Sequence, residues 1–196
     1  MEADRIKWNE RYADDEYQMG LNPSRFLADR IQLLKTLTPG RRALDIACGE
    51  GRNSIFLAHH GFQVTAVDIS DRGIEKGESR MRSEGVTVDF RGVDLDGYDI
   101  DEQYDLIVNL NFLSRELIPR EVTALKPGGI LLFETILDSP TLAGNHTRHY
   151  LLQSGELLQL FNREAGTILE YDEFPQIACP VGRILFQKQG PLLLVT

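Results

Sequence analysis

The residues Ala43-Leu44-Asp45-Ile46-Ala47-Cys48-Gly49-Glu50-Gly51-Arg52-Asn53 decide the fold of this chain. An apolar run closes on an acid, turns through two glycines and opens into a segment with helical pattern. The next apolar run, Val64-Thr65-Ala66-Val67, ends on a second acid, Asp68, seventeen residues beyond Gly51. This spacing predicts a strand, a tight turn, a helix and a second parallel strand. Glycine at the turn lets backbone approach a ligand closely. An acid at the end of the second strand can accept from both hydroxyls of a ribose.

The same unit holds NAD, a nucleotide or S-adenosylmethionine in different proteins, and its details separate these ligands. A dinucleotide fingerprint G-x-G-x-x-G would carry Gly or Ala at the sixth position, where this chain has Ser54. Asp45, just before the turn, would repel a pyrophosphate and suits a ligand bearing an ammonium or sulfonium. Nothing matches G-x-x-x-x-G-K-[ST], so a P-loop is excluded.

Outward from this unit the chain alternates strands and helices. A short polar helix is expected over residues 3–13, with Trp8 and Tyr12 four apart on one face. Asn22-Pro23 reads as a helix start, running to about Leu37 through Phe26, Leu27, Ile31 and Leu34. Strands are expected near Arg42–Ala47, Gln63–Asp68, Thr87–Arg91, Tyr104–Asn109, Ile130–Thr135, Thr167–Phe174 and Arg183–Lys188. Helices are expected from Asn53 to His60, from the Ser70 cap to Glu84, over Arg115–Leu125 and over Gly155–Asn162. Lys126-Pro127-Gly128-Gly129 reads as a turn and Leu137–Leu152 as a long loop. The pattern is that of a mostly parallel three-layer α/β sheet.

At this point the residues resemble a family. Asp45 to Asn53 is similar to motif I of the class I S-adenosylmethionine-dependent methyltransferases, and the C-G-x-G-R-N form resembles their tellurite-resistance and thiopurine branch. The resemblance extends from Trp8 to the last strand. It implies a Rossmann-like, doubly wound three-layer sandwich, with seven strands in a mostly parallel sheet whose last strand is antiparallel. It also implies one methyltransferase domain over 1–196, with residues 1–37 as a helical lid and 40–196 as the core. S-adenosyl-L-methionine is the implied cofactor.

Site residues follow. Gly49 and Gly51 would let the backbone pass the methionine part of the cofactor, with Asn53 completing the motif. Asp45 would serve the methionine ammonium; otherwise it merely caps the end of a strand. Asp68 would hold the ribose, with Ile69 beside it. Asp94 would accept from the adenine amino group and Leu95 offer its amide, although Asp96, Asp99 and Asp101 make a simple acidic loop the alternative. Asn109 is expected near the cofactor. The resemblance makes Trp8 and Tyr12, with Tyr17, an aromatic lid drawn to a sulfonium; the bland alternative is a stripe packing a terminal helix onto the core.

After the fourth strand, Asn109-Leu110-Asn111-Phe112 lacks the Asn/Asp-Pro-Pro-aromatic tetrapeptide that resembling enzymes use on nucleobase amines. Arg115 is read evenly as an anchor for an acceptor carboxylate or as a solvated first-turn residue. The loop after the fifth strand carries His146, Arg148 and His149, which are expected on the acceptor side, with either histidine as a candidate base. Arg183 joins Arg115 and Arg148 as a cation able to hold an anionic acceptor. His59 and His60 close a helix and read as structural. No metal site is expected, since neither cysteine neighbours a histidine.

The implied activity is methyl transfer to a small molecule, in particular a soft sulfur, selenium or tellurium centre. A quinone or natural-product hydroxyl is the alternative acceptor, and a non-catalytic S-adenosylmethionine-binding module the alternative class. A net charge of −9 argues against nucleic acid or an anionic membrane as partner. Two cysteines make no disulfide framework, and Met1-Glu2-Ala3-Asp4-Arg5 has no leader-like apolar stretch, so a reducing cytoplasm is expected. Oligomeric state and the identity of the acceptor stay open.

Overall fold

A computed structural model describes residues 2–142 and 147–190. Strand β1 (Arg42–Ile46) leads through the glycine turn into α4 (Arg52–His59) and then β2 (Gln63–Asp68). Helix α5 (Asp71–Glu84) starts on Ser70, whose hydroxyl accepts from the Gly73 N–H at 3.1 Å, and stops at Gly85, which has a φ of 67°. Then follow β3 (Val88–Gly92), β4 (Tyr104–Leu110), α6 (Ile118–Ala124), β5 (Leu125–Ile136), α7 (Glu156–Phe161), β6 (Gly166–Phe174) and β7 (Val181–Lys188). Ahead of β1 lie α1 (Glu2–Arg11), α2 (Arg25–Ala28) and α3 (Ile31–Leu37).

The seven strands form one sheet in the order β3-β2-β1-β4-β5-β7-β6. The first five are parallel, and β7 runs antiparallel between β5 and β6. Only residues 175–180 join β6 to β7, too few for a parallel crossover, so the pair closes as a hairpin. Both faces of the central strands are covered, which is why β4 is buried along its whole length. On one face Ile46, Ile107, Phe133 and Phe186 pack with Val122 of α6 and Phe161 of α7. On the other, Ala66, Val108 and Leu132 pack with Phe26, Leu34 and Ile55. Strand order reverses between β1 and β4, and a crevice forms there at the carboxyl ends.

Three local expectations are corrected. The helix expected from Asn22 to Leu37 is two helices, broken at Asp29 and Arg30. The Arg30 guanidinium is drawn to Glu170 of β6 (Nε to Oε2, 2.7 Å) and lies over the Phe26 ring. The helix expected from Arg115 starts at Ile118 instead. Pro119 lacks an N–H and fits only a first turn. The turn at Lys126-Pro127-Gly128-Gly129 lies inside β5, where it appears as a register shift against β4 between Tyr104 and Leu106.

Candidate functional site

The carboxyl ends of β1, β2, β4 and β5 meet at one edge, where Ile46 faces both Val67 and Asn109 and Leu110 faces Glu134. The glycine turn leaves β1 here. Gly49 and Gly51 take φ of 53° and 77°, values that side-chain-bearing residues rarely adopt. A Cβ at Gly49 would stand 2.7 Å from the Tyr12 hydroxyl, and one at Gly51 would stand 2.6 Å from the Phe90 ring.

Two buried acids flank the turn. Asp68 Oδ2 accepts from the Gly49 N–H at 2.7 Å and Oδ1 from the Ser70 N–H at 2.8 Å. Burial pushes its carboxyl above the usual range, and those amides pull it back. Each oxygen keeps a further lone pair. Asp45, 1% exposed, accepts from the Ser54 hydroxyl at 2.5 Å. Burial pushes its pKa up to about 7, against the pull of Ser54 and with Asp68 adding to the rise. The hydrogen-bond donors on both carboxylates are thus neutral, so each is suited to receive a cation or hydroxyls.

The amino-terminal segment covers this edge. Tyr12 is buried in a slot between Gly49 and Gly73 of α5, and Trp8 stacks on it with centroids 5.7 Å apart. Burial, with Asp68 and Glu50 nearby, holds the Tyr12 phenol well above its ordinary pKa. Asn9 Oδ1 accepts from the Ser70 hydroxyl (2.7 Å) and the Arg72 N–H (3.2 Å). Asn53 Oδ1 accepts from the Ser24 N–H at 2.8 Å, and Arg52 donates to the Met19 carbonyl at 3.0 Å. Asn53 therefore positions the start of α2, a role its place in the motif did not suggest. Ile69 is half-buried beside Asp68.

Next to the turn on the β5 side stands an acid that sequence reasoning missed. Glu134 lies 3.1 Å from the Arg183 Nε and accepts from the Ser24 hydroxyl at 3.4 Å. Arg183 lies over the rings of Phe26 (4.8 Å) and Phe174 (4.4 Å). Burial raises the Glu134 carboxyl and Arg183 lowers it. The signal was present: Leu131-Leu132-Phe133 ends on an acid, as the runs before Asp45 and Asp68 do. Arg52 was missed likewise; its guanidinium is close enough to Asp45 and Glu134 to feel both charges.

Other expected residues lie at varied distances from this edge. Asn109 is fully buried and turned toward α6, where its Nδ2 donates to Glu121 at 2.7 Å. Asp94 accepts from the Asp96 N–H at 3.1 Å in the exposed loop after β3. Leu95 is buried and lines a cleft of about 110 Å³ with Ser114, Leu117 and Arg120. Arg115 donates to both oxygens of Glu156 (2.5 and 3.0 Å) and to the carbonyls of His149 (2.7 Å) and Leu151 (3.0 Å). It clasps the loop after β5 to α7 and is not a solvated helix residue. Arg148 and His149 lie exposed in a single 3-10 turn. His146 lies outside the described residues. Among the described residues no group of three candidate ligands could hold a metal ion, and no helix is long and apolar enough to cross a membrane.

A five-strand parallel run, an inserted antiparallel β7 and a glycine turn flanked by acids define the class I methyltransferase fold. The N-methyltransferase NodS from Bradyrhizobium japonicum, solved with S-adenosyl-L-homocysteine, superimposes with a TM-score of 0.71 at 22% identity, covering 94% of this chain and 97% of that one. More specifically, the chain belongs to the family of the tellurite resistance protein TehB, whose family model matches residues 6–174. It is 27% identical over 177 residues to a probable S-adenosyl-L-methionine-dependent methyltransferase TehB of Haemophilus influenzae, covering 82% of this chain and 61% of that one. It is 28% identical over 148 residues to a ubiquinone biosynthesis O-methyltransferase of Stutzerimonas stutzeri, covering 71% and 62%. The chain thus spans about three fifths of the length of these curated relatives.

Proposed function

We propose that this chain transfers a methyl group from S-adenosylmethionine to a small anionic acceptor with a soft sulfur, selenium or tellurium centre. The observation that carries the cofactor is the pair Asp45 and Asp68, buried on either side of a positive-φ glycine turn and, among the described residues, hydrogen-bonded by neutral donors. A cationic amino acid joined to a ribose fits such a pair, and a pyrophosphate does not. Asp68 holds the ribose with its remaining lone pairs. Asp45 faces the ammonium through the turn, and the methionine part passes along the backbone of the turn from Gly49 to Gly51. Leu95 and Asp94 border the adenine. Trp8 and Tyr12 close over the sulfonium and keep water from it.

The bound cofactor supplies an already activated methyl group, so the protein's share is alignment and exclusion of water. Glu134, Arg183 and Arg52 supply the charges of the acceptor side. Arg183 attracts an anionic acceptor, and Glu134 fixes the guanidinium. Arg115 contributes indirectly, by holding the loop after β5. A soft, already ionised acceptor needs no base, which suits a site whose described histidine candidate, His149, sits exposed.

A second acceptor class, a quinone-like hydroxyl, is favoured by the likeness to the ubiquinone O-methyltransferase. Calorimetric titration with S-adenosylmethionine, S-adenosylhomocysteine and NAD tests the cofactor. Micromolar binding of the first two without NAD supports the proposal, and NAD binding alone refutes it. Release of S-adenosylhomocysteine with thiols, selenite and tellurite, but not catechols, supports the soft acceptor; the reverse pattern assigns the hydroxyl class.

A further inference from the structure

One face of α5 is shaped to the glycine turn. Gly73, Lys76 and Gly77 share that face through their i, i+3 and i+4 spacing. A Cβ at Gly73 would stand 3.0 Å from the Gly49 carbonyl oxygen, and one at Gly77 would stand 3.4 Å from the Glu50 carbonyl carbon. Between these two glycines Lys76 reaches the turn itself. Its Nζ lies 2.5 Å from Glu50 Oε1 and donates to the carbonyls of Asp14 (2.9 Å) and Glu16 (2.7 Å). Two of the ammonium's three N–H donors go to these carbonyls, and its contact with Glu50 is an ion pair. The same ammonium lies 4.9 Å from the Tyr17 ring centroid, and Glu50 Oε2 accepts from the Gln18 N–H at 2.8 Å.

Both charges are withdrawn from water, with side-chain exposures of 18% for Lys76 and 5% for Glu50. A surface pair is worth little, but a buried carboxylate that loses its partner is strongly disfavoured. Residues 14–18 follow directly on Tyr12, whose hydroxyl occupies the approach to Gly49. A ligand that approaches Gly49 from the side its missing Cβ would occupy meets Tyr12, and Tyr12 leads into a strap that Lys76 fastens to the turn.

We propose that Lys76 and Glu50 form a latch, a pair of positioning residues that ties the strap 12–18 to the glycine turn and sets the rate at which S-adenosylmethionine and its product exchange. This rests on the cofactor assignment above. The latch acts on entry and exit, since the Lys76 ammonium is held by two carbonyls of the strap and by the Glu50 charge.

The test uses Lys76→Met, Glu50→Gln and the double variant in the full chain, with circular dichroism to show that each folds. Trp8 is the only tryptophan, so its fluorescence reports on the segment without a label. In ligand-free protein, acrylamide quenching of Trp8 and proteolysis within residues 12–20 should each rise at least about twofold in either single variant. In stopped flow, S-adenosylhomocysteine should dissociate about tenfold faster from either single variant, and no faster from the double. Quenching, proteolysis and dissociation equal to wild type in Lys76→Met would overturn the latch, as would single-variant effects that multiply in the double. If wild type fails to bind S-adenosylhomocysteine while quenching and proteolysis still rise in the variants, the methyl-transfer proposal falls and with it the control of exchange, and only the tie between strap and turn is upheld.

Discussion

Asp45 and Asp68 are two carboxylates of one site with different tasks. Asp68 already accepts two backbone amides, so it shapes the turn before any ligand arrives. Asp68→Ala should weaken S-adenosylmethionine binding at least tenfold, about 1.4 kcal/mol, through lost charge-assisted bonds. Calorimetry on the folded variant checks this, and unchanged affinity removes Asp68 from the ribose site. Asp45 is poised at about 7 because burial outweighs its single hydroxyl donor. A cation bound nearby favours the ionised carboxylate, so affinity should rise as pH climbs through that value. The expected gain is roughly tenfold between pH 5.5 and 7.0, where the ligand's own ammonium stays mostly protonated. Asp45→Asn should flatten that profile. A slope that survives the substitution would assign it to another group.

At the scale of elements, α5 accepts two interior glycines, each costing about 1 kcal/mol of helix propensity. The compensation is contact. Tyr12 fits against Gly73, and the Phe90 ring of β3 fits between Gly77 and Gly51. These fits bring α1, the glycine turn, α5 and β3 together around one edge. The left-handed turn at Gly51 and the one at Gly61 (φ 85°) differ in this respect, because a Cβ at Gly61 would meet nothing within 4 Å. Gly61→Ala should therefore cost about 1 kcal/mol for backbone strain alone. Gly51→Ala should cost about 1–3 kcal/mol more through overpacking on Phe90. Denaturant unfolding of both variants measures the difference, and equal losses would show that Phe90 yields freely.

For the molecule as a whole, pH dependence of stability is set by buried acids with raised pKa values. Glu121, fully buried under β4, is pushed up to about 8 by burial, with Asn109 as its hydrogen-bond donor. A raised acid holds its proton longer in the folded state than in the unfolded one. Its stabilisation is complete below the unfolded value of 4.5 and is lost as pH rises through about 8. Asp45 acts in the same direction through about 7. The ligand-free protein should thus be less stable at pH 8.5 than at pH 5.5. Glu121→Gln, neutral at all pH, should remove on the order of 2 kcal/mol of that decline. Thermal unfolding across this range decides, and an undiminished decline would place its origin elsewhere.

The alternation of apolar runs with helical periods determined the order of strands and helices and the glycine turn, because local periodicity and turn chemistry are written in neighbouring residues. Asp45, Asp68 and the turn glycines were legible for the same reason: a strand end, a turn and a helix start lie within a dozen positions. The break at Asp29 and Arg30 was not legible, since it depends on Glu170 and Phe26, one of them far along the chain. Asn53 could be read as part of a motif, but its hydrogen bond to Ser24 belongs to the folded chain. Arg115 reads as a free cation until folding brings Glu156 to it. Glu134 meets Arg183 only because β7 inserts antiparallel beside β5. Sequence determined which elements form and where a ligand's polar groups can be met; tertiary structure decided which charges are already spent on one another, because that follows from contacts between residues distant in the chain.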